Sequence, residues 1–464
     1  VCDPGSFQLH LKSPAFTAYN TFLRQQGYLE LIAGGSRAVN GTVTVYAIDG
    51  RVINTRPFEI PALQQMDIDI NAMVGQADTY GVVRVDFNSR EPGATLMGRM
   101  SNYRVDNDGS YSFAFARELR NSTRGVTFAT GNAFDPQGSG FLVPNWAEII
   151  NIDSIERLFI HNLYLQDGRL VQSTTFALPP LAKRDIGAGH EYGEGVYVSE
   201  FIPVDGATKY LASVTRYSSN APRGQEAQSY NFAFQLEAKA GNGDKQYVPI
   251  TNRSGSCWLQ TNWVEVMNVR EKDVTATLIF RDDVGAEVAR QTITYAPRAQ
   301  FHFNASALLD KGKRGSVEIS ASDPASLITQ SSVYFHDTCG SNLLQSAYAS
   351  PGRIAGQDVQ AGSFNTNINM KNELNVIATE QSSTTATIEL RSQGQLLSTV
   401  QNLLGGFNAS AFDLNNASVF NTTQNQYGTI TLRTPTIRRS VAENLRIRES
   451  SPGKIDFVMY TPLQ

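Results

Sequence analysis

The sequence has little charge for its length, and the charge that it has is not clustered. Charged residues make up 18% of the 464 residues, against about 25% in ordinary soluble chains, and the formal net charge is −4. No basic tract or stripe is present, which argues against a nucleic-acid partner. No apolar run approaches the roughly 20 residues that a membrane helix needs, so no transmembrane segment is predicted.

The residue patterns of common catalytic and metal sites are also missing. The chain has five histidines, and no HExxH or HxH pair and no GxSxG nucleophile motif occur. His161 and His302 lie in apolar stretches that are typical of strands, so we interpret them as structural residues. We therefore expect a protein that is not an enzyme and that needs no cofactor or metal.

One short segment resembles a calcium-binding loop. The segment RVDNDGS at 104–110 contains the central part of the D-x-[DN]-x-[DN]-G pattern. However, Arg104 stands at the first ligand position, and Phe115 stands where the final glutamate should be. We interpret the segment as a hairpin turn.

What the chain does contain is a repeat. The segment FLVPNWAEIINIDSIERLFIHNLYLQDG at 141–168 has counterparts that begin at Phe22, Cys257 and Phe364. When these are aligned, a glutamate and a glycine recur in all four copies, and the glycine follows the glutamate by 20 or 21 positions. The recurring glutamates are Glu30, Glu148, Glu265 and Glu373, and the recurring glycines are Gly50, Gly168, Gly285 and Gly394.

The spacing of the repeat sets the domain organisation. The glutamates are 118, 117 and 108 residues apart (148−30, 265−148 and 373−265), which is the size of a domain and far longer than a solenoid repeat. We expect four β-sandwich repeats at residues 1–122, 123–242, 243–356 and 357–464. They are called units one to four below.

Within a unit the pattern is that of an all-β protein. Short alternating segments are separated by turn residues every ten or so positions, and no stretch shows a convincing helical period. This predicts a sandwich of about seven strands per unit, with an architecture that resembles the immunoglobulin-like or fibronectin-type plan. A leading segment such as SFQLHLK at 6–12 adds an edge strand. The linkers are short, so we expect a semi-rigid string of four units.

The recurring residues are interpreted as structural. A catalytic site is rarely copied four times, so the repeated glutamate is expected to accept a hydrogen bond or to pair with an arginine where units meet. Trp146 and Trp263 precede Glu148 and Glu265 by two residues and share their strand face. We place both tryptophans in the repeat core or at a domain interface, and contact with a glycan is the alternative.

Three cysteines bear on the cellular compartment. Cys257 and Cys339 flank unit three, and we expect a disulfide between them, which implies an oxidising environment. Cys2 is then unpaired and is a possible intermolecular thiol. The chain begins at Val1 without a methionine, as it would if a signal peptide had been removed. We expect a secreted protein at the cell surface or in the periplasm, from a bacterium.

These features favour a structural or assembly role. The leading hypothesis is a subunit of a surface array, a filament or a multi-protein surface complex, with other protein subunits as partners. We expect the leading strand and the edge of the last strand, IDFVMY, to be free for strand addition. One alternative is an adhesin or carbohydrate-binding arm, for which an exposed aromatic patch in one unit only is predicted. Another is an accessory region of an extracellular enzyme.

Overall fold

A computed structural model describes residues 11–134, 143–219, 230–242, 245–340, 344–356, 359–435 and 440–463. Nearly all regular structure in these residues is β, which confirms the predicted fold class. The strands form eight four-stranded antiparallel sheets, two in each unit. In every unit the first, sixth, third and fourth strands form one sheet, and the fifth, second, seventh and eighth strands form the other.

The thirty-two strands are divided equally among the units. Unit one contains β1 (Ala15–Asn20), β2 (Gln25–Ala33), β3 (Val39–Tyr46), β4 (Val52–Ile60), β5 (Gln65–Asp69), β6 (Tyr80–Phe87), β7 (Leu96–Val105) and β8 (Tyr111–Glu118). Unit two contains β9 (Thr127–Asn132), β10 (Asn145–Asn151), β11 (Arg157–Leu165), β12 (Leu170–Leu178), β13 (Lys183–Gly187), β14 (Val196–Pro203), β15 (Tyr210–Ser219) and β16 (Tyr230–Glu237).

Units three and four repeat the plan. Unit three contains β17 (Lys245–Thr251), β18 (Trp258–Asn268), β19 (Val274–Asp282), β20 (Glu287–Tyr295), β21 (Gln300–Asn304), β22 (Arg314–Ala321), β23 (Leu327–Asp337) and β24 (Leu344–Pro351). Unit four contains β25 (Val359–Asn365), β26 (Met370–Ala378), β27 (Thr384–Ser392), β28 (Gln395–Leu404), β29 (Ala409–Asp413), β30 (Tyr427–Arg433), β31 (Ser440–Ser451) and β32 (Lys454–Pro462).

Helices are short and lie in the connections. Among the described residues the α-helices are α1 (Ile70–Val74) and α2 (Ala417–Phe420), and the 3₁₀ turns are Phe22–Arg24, His190–Tyr192, Ala305–Leu308 and Asn367–Asn369. Asp69 precedes helix α1 as its N-cap, and its side chain accepts a hydrogen bond from the Ala72 N–H.

Each unit has eight strands where about seven were expected, because the leading strand is a full member of a sheet. β1 pairs with β6 along its whole length, and β9, β17 and β25 pair with the sixth strand of their own units in the same way. In unit one this strand is Ala15–Asn20, whereas most of the predicted segment at 6–12 lies outside the described residues.

Each sandwich encloses a core of its own. The inward positions of the two sheets are aliphatic and aromatic, as the alternation of apolar and polar residues predicts. In unit two, for example, Ala147 and Ile149 of β10 pack against Phe159, Phe176 and Val214. The other three units have equivalent clusters.

The four units do not form the expected string. The eighth strands contact one another in a cycle: β8 packs on β16, β16 on β24, β24 on β32, and β32 on β8. Units one and four are therefore neighbours although they lie at opposite ends of the sequence. The chain closes into a ring around a pseudo-fourfold axis, with the eighth strands at the centre.

Ring closure also covers the edge that we expected to be free. The N–H groups of Ile455 and Val458 on β32 donate to side chains of Gln345 and Ser346 on β24, each at 3.0 Å. The last strand of unit four is thus paired by side chains of unit three. It is not available for strand addition.

The recurring glycines explain how neighbouring units fit at their outer ends. All four lie in the turn between the third and fourth strands with φ between +78° and +86°. A Cβ atom on Gly50 or Gly168 would lie 2.0 Å from the carbonyl oxygen of Pro180 or Pro297 in the next unit. Only glycine allows such an approach, and it also tolerates the positive φ. The turn of unit four approaches unit one less closely, with 3.5 Å between a Cβ on Gly394 and the Ala62 carbonyl oxygen.

Candidate functional site: the interunit glutamates and the axial pocket

The glutamates at 30, 148 and 265 are buried where two units meet, a boundary that we call a seam. Each lies on the second strand of its unit and points away from the sandwich core towards the preceding unit. Their side chains are 2%, 4% and 0% exposed. A buried carboxylate needs a compensating charge, and in each case an arginine of the preceding unit supplies it.

Glu30 closes the ring between the first and last units. Arg446 of unit four donates from Nη1 and Nη2 to the two oxygens of Glu30, at 2.7 and 2.9 Å. This is a bidentate pair between residues 416 positions apart in the sequence. Ser101 Oγ adds a hydrogen bond at 2.6 Å, and Arg99 Nε lies 3.3 Å away.

Glu148 and Glu265 repeat the arrangement with different donors. Glu148 accepts from Arg117 on β8 of unit one and lies 3.0 Å from Lys183 Nζ. Glu265 lies 3.5 Å from Arg216 Nη1 of unit two and accepts from Ser332 at 2.7 Å. Both glutamates thus contact an arginine of the preceding unit across the seam.

Unit four departs from the sequence alignment. Its strand register places Asn375 at the position of the three glutamates, opposite Glu443, and places Glu373 two residues earlier on the same face. The alignment was therefore wrong by two residues there, and an alternating strand hides such a shift because both positions point the same way. Glu373 still bridges a seam, with Arg253 Nη1 at 2.8 Å and Arg314 Nη2 at 2.5 Å in unit three.

The acids at the seams fall into two groups. Burial alone would raise the pKa of Glu30, Glu148 and Glu265, but the neighbouring cations outweigh it and lower each pKa to about 2. Asp67 lies opposite Glu30 and Asp185 opposite Glu148. Asp185 is partly buried, whereas Asp67 is more exposed at the edge of its seam. For both aspartates, reduced solvation of the carboxylate together with the nearby glutamate raises the pKa to about 6.

Glu443 is the buried acid that lacks an ion pair among the described residues. It accepts hydrogen bonds from Ser350 Oγ of unit three and from Asn375 Nδ2 at 3.3 Å. Burial raises its pKa to about 7. The seam between units three and four thus holds a carboxylic acid that is protonated more readily than its counterparts in the other seams.

The two tryptophans have different environments. Trp263 is partly buried and packs on the aromatic cluster between units two and three, at a domain interface as expected. Trp146 occupies the same position in unit two, but it is 40% exposed and its ring lies 5.1 Å from that of His190. The expectation of a core or interface position is therefore wrong for Trp146.

The other residues singled out in the sequence are structural. Cys257 and Cys339 form the predicted disulfide, while Cys2 lies outside the described residues. His161 is fully buried and stacks on Phe201 at 5.3 Å. Residues 106–109 form the predicted hairpin turn between β7 and β8, closed by a hydrogen bond from the Asp106 N–H to the Ser110 carbonyl oxygen.

Sequence reasoning missed a pocket on the pseudo-fourfold axis. It lies beside the carboxyl ends of the eighth strands, and all four units contribute to its wall. About 60 Å³ of it is accessible to the centre of a water molecule, which is room for several waters. The polar lining residues include Arg99, Glu118, Gln235, Glu237, Lys239, Asn242, Gln330 and Tyr460.

Two polar groups in this pocket lack partners among the described residues. The Glu118 carboxylate makes no hydrogen bond or ion pair there, and burial together with the nearby Glu237 raises its pKa. The Tyr460 hydroxyl is buried and has no hydrogen-bond partner. Glu237 is the counterpart of Glu118 in unit two, since the two residues pair with equivalent positions of the seventh strands, Ser213 and Arg99. Unlike Glu118, Glu237 forms an ion pair, with Arg120 of unit one at 3.1 Å.

Two kinds of feature are missing from the part of the chain that the structure describes. No group of three or more His, Cys, Asp or Glu side chains there could hold a metal ion. No helix in that part is long and apolar enough to cross a membrane.

Comparison with known proteins does not identify a family. No family model matches the sequence, and no curated protein does. Among solved structures, two β-glucuronidases of Bacteroides uniformis match 51% and 50% of this chain at 8% and 15% identity, with TM-scores of 0.12 and 0.11. A Bifidobacterium dentium β-glucuronidase matches 76% of the chain at 10% identity and a TM-score of 0.11.

The matched parts span 28%, 27% and 50% of those three chains. TM-scores of this size carry no information on fold or activity.

Proposed function

We propose that this protein is a non-enzymatic subunit of an extracellular surface array, in which copies associate through the rim of the ring. The observation that carries the proposal is a long fourth strand in each unit that pairs with no further strand of the described sheets. The buried glutamates support it, because their charges are neutralised by arginines in ion pairs that hold the units together.

Ring closure leaves few backbone edges free. The eighth strands are packed around the axis, and the outer edges of β1, β9 and β17 are bridged by Arg120, Lys239 and Arg353 of the following linkers. The fifth strands are only five residues long. The fourth strands are nine or ten residues long, and each pairs on one side only within the described sheets. Such an edge is a template for pairing with another chain.

Each fourth strand also presents an apolar side chain to solvent near its start. The four residues are Val52, Leu170, Val288 and Leu396, which are 52%, 52%, 43% and 50% exposed. A single exposed apolar residue is ordinary, but Val52, Leu170 and Leu396 share one register position, near the start of the fourth strand and opposite the end of the third, and so mark a repeated contact surface. In unit three Glu287 holds that position and the exposed Val288 follows it. We call the four apolar residues the rim residues.

The proposed setting is extracellular. The disulfide between Cys257 and Cys339 persists in an oxidising compartment such as the cell surface or the periplasm. The low content of charge and the abundance of Ser, Thr and Asn on exposed strands fit a protein of such a surface.

The adhesin alternative required an exposed aromatic patch confined to one unit. Aromatic side chains with more than a third of their surface exposed occur in three units: Phe22 and Tyr28, Phe134, Trp146 and Tyr192, and Phe301. This distribution does not single out one unit, and we therefore favour assembly.

The proposal is tested by the mass of the particle in solution. Light scattering and electron microscopy of the concentrated full chain are expected to detect ordered assemblies. Replacing all four rim residues by lysine is expected to leave monomeric rings with an unchanged circular dichroism spectrum. Lysine on an edge strand opposes pairing by charge and solvation.

The matched control is Val204→Lys. Val204 is an apolar residue that is 56% exposed, but it follows β14 and is not part of a fourth strand. It is expected to assemble like the unmodified chain. A full chain that stays monomeric at high concentration, or a rim variant that still assembles, would contradict the proposal.

A further inference from the structure

We propose that the axial pocket is a binding site for a neutral, hydroxyl-rich small molecule of the size of one sugar ring. This inference is independent of the assembly proposal, because the pocket lies at the axis and the rim residues lie at the periphery. It rests on the placement of the pocket, on its unpaired polar groups and on its balance of charge.

The pocket exists only in the closed ring. Its wall combines the ends of β8, β16, β24 and β32 with residues of neighbouring strands, so no single unit can form it. The corresponding residues at these four strand ends differ: units one and two supply Glu118 and Glu237, while units three and four supply Pro351 and Pro462. The pocket therefore has an acidic half and an apolar half.

The acidic half contains one free acceptor. Arg120 follows Glu118 by two residues in the chain and reaches across the seam to Glu237 of the next unit. In the described residues of unit four, no cation reaches Glu118 in the same way. The Glu118 carboxylate faces the pocket without a partner, and a partly buried carboxylate in that state is stabilised by any ligand that donates to it.

Donors line the same space. Lys239 contributes a cationic group, and Gln235, which donates to Ser213 Oγ at 2.8 Å, contributes an amide. Arg99 also lines the pocket, but its guanidinium is engaged with Glu30 and with Ser363 Oγ. The Tyr460 hydroxyl lacks a partner among the described residues.

Glu237 is neutralised by Arg120, and Arg99 is neutralised by Glu30. The charges left on the lining are therefore Glu118 and Lys239, one of each sign. Neither an anion nor a cation is favoured by such a lining. A ligand whose hydroxyls both donate and accept hydrogen bonds satisfies both groups together.

The apolar wall suits the faces of a ring. Ile32, Met97, Leu236 and Ile328 line the pocket beside the two prolines. Pockets that bind small molecules commonly combine an apolar wall with a few converging polar groups. A pyranose ring presents C–H groups on its faces and hydroxyls at its edge, which matches this lining.

The experiment is ligand-observed NMR on the full chain with glucose, galactose and N-acetylglucosamine as separate probes. Methylammonium and acetate serve as charged comparators. We expect saturation-transfer signals from at least one neutral sugar and weaker signals from both ions. Glu118→Ala is expected to weaken sugar binding at least tenfold, and Ala116→Phe, which fills the pocket, is expected to abolish it.

Glu287→Ala is the control, because Glu287 lies on exposed β20 and pairs only with Arg290 on the same strand among the described residues. It is expected to bind sugar like the unmodified chain, and thermal unfolding of all variants shows whether the ring is intact. The proposal is overturned if no neutral sugar binds, if either ion binds more tightly, or if a folded Glu118→Ala or Ala116→Phe variant binds sugar normally.

Discussion

At the scale of single residues, the seams depend on arginine and glutamate side chains that are buried together as ion pairs. Removing one partner of such a pair leaves a buried charge uncompensated, which is far more costly than losing an exposed pair. The four seams do not use one arginine position. Arg216 and Arg446 lie on seventh strands, whereas Arg117 lies on an eighth strand.

Arg446→Ala tests the pair that closes the ring. We expect the free energy of unfolding to fall by about 3–5 kcal/mol, because Glu30 is left buried without its bidentate partner. Chemical denaturation followed by tryptophan fluorescence measures the change. Arg290→Ala removes an exposed pair on β20 and should cause no measurable loss. If the two variants are equally stable, Glu30 and Arg446 do not hold the seam.

The acids at the seams predict an unusual dependence of stability on pH. Glu30, Glu148 and Glu265 have folded-state pKa values near 2, below the usual 4.5. Their contribution to the free energy of unfolding is therefore complete above pH 4.5 and is lost as the pH falls towards 2. Asp67 and Asp185 have folded-state pKa values near 6, above the usual 3.8. Their contribution is complete below pH 3.8 and is lost as the pH rises through 6.

The two aspartates are isolated by comparing thermal unfolding of the double variant Asp67→Asn/Asp185→Asn with that of the unmodified chain between pH 4 and 7. Because the variant has no aspartate to ionise at these positions, its midpoint temperature is expected to rise relative to that of the unmodified chain as the pH rises from 4 to 7. A difference that stays constant over this range would show that the two aspartates do not titrate near pH 6.

At the scale of strands and turns, the recurring glycine is the element that joins neighbouring sandwiches. Gly168 has φ +86°, and Gly109, in the hairpin between β7 and β8, has φ +81°. A Cβ on Gly168 would overlap the Pro297 carbonyl oxygen of the next unit, whereas a Cβ on Gly109 would meet no atom within 4 Å.

Alanine at these two positions separates backbone strain from contact between units. Gly109→Ala should cost about 1–2 kcal/mol, which is the penalty for an L-residue with positive φ. Gly168→Ala should cost about 1–3 kcal/mol more, because the turn must move away from unit three. If the two variants lose the same free energy of unfolding, the close contact of the Gly168 turn with unit three does not stabilise the seam.

The sequence was sufficient to predict features that follow from local pattern. Alternating strands and the turn glycines follow from periodicity and repetition, and the disulfide follows from the placement of two cysteines at the ends of unit three. The register of unit four does not, since a shift of two residues keeps Glu373 on the same face as Asn375. The exposure of Trp146 was also hidden, because it depends on how closely the neighbouring unit approaches.

At the scale of the whole molecule, ring closure was beyond sequence reasoning. It depends on contacts between β32 and β8 and on a pair 416 residues apart, and no local pattern reports such distances. The axial pocket depends in turn on closure. Short linkers suit a ring as well as a string, and the packing of the eighth strands decides between them.

An isolated unit two, residues 123–242, is expected to fold but to be less stable than the chain. Its core cluster is its own. Its aromatic residues Phe232, Phe234 and Tyr217 pack on other units in the full molecule and would be exposed. We expect a β-type circular dichroism spectrum, binding of an apolar dye and a lower midpoint temperature. A disordered spectrum, or stability equal to that of the full chain without dye binding, would contradict this view.

The closed ring is tested most directly by small-angle X-ray scattering of the monomer as it elutes from a sizing column. A compact chain of 464 residues has a radius of gyration of about 23 Å, whereas four compact units in line give roughly 40 Å. The ring predicts a value near the lower figure, with a single compact distance distribution. A value near the higher figure, with the repeating distances of separate units, would show that units one and four do not meet.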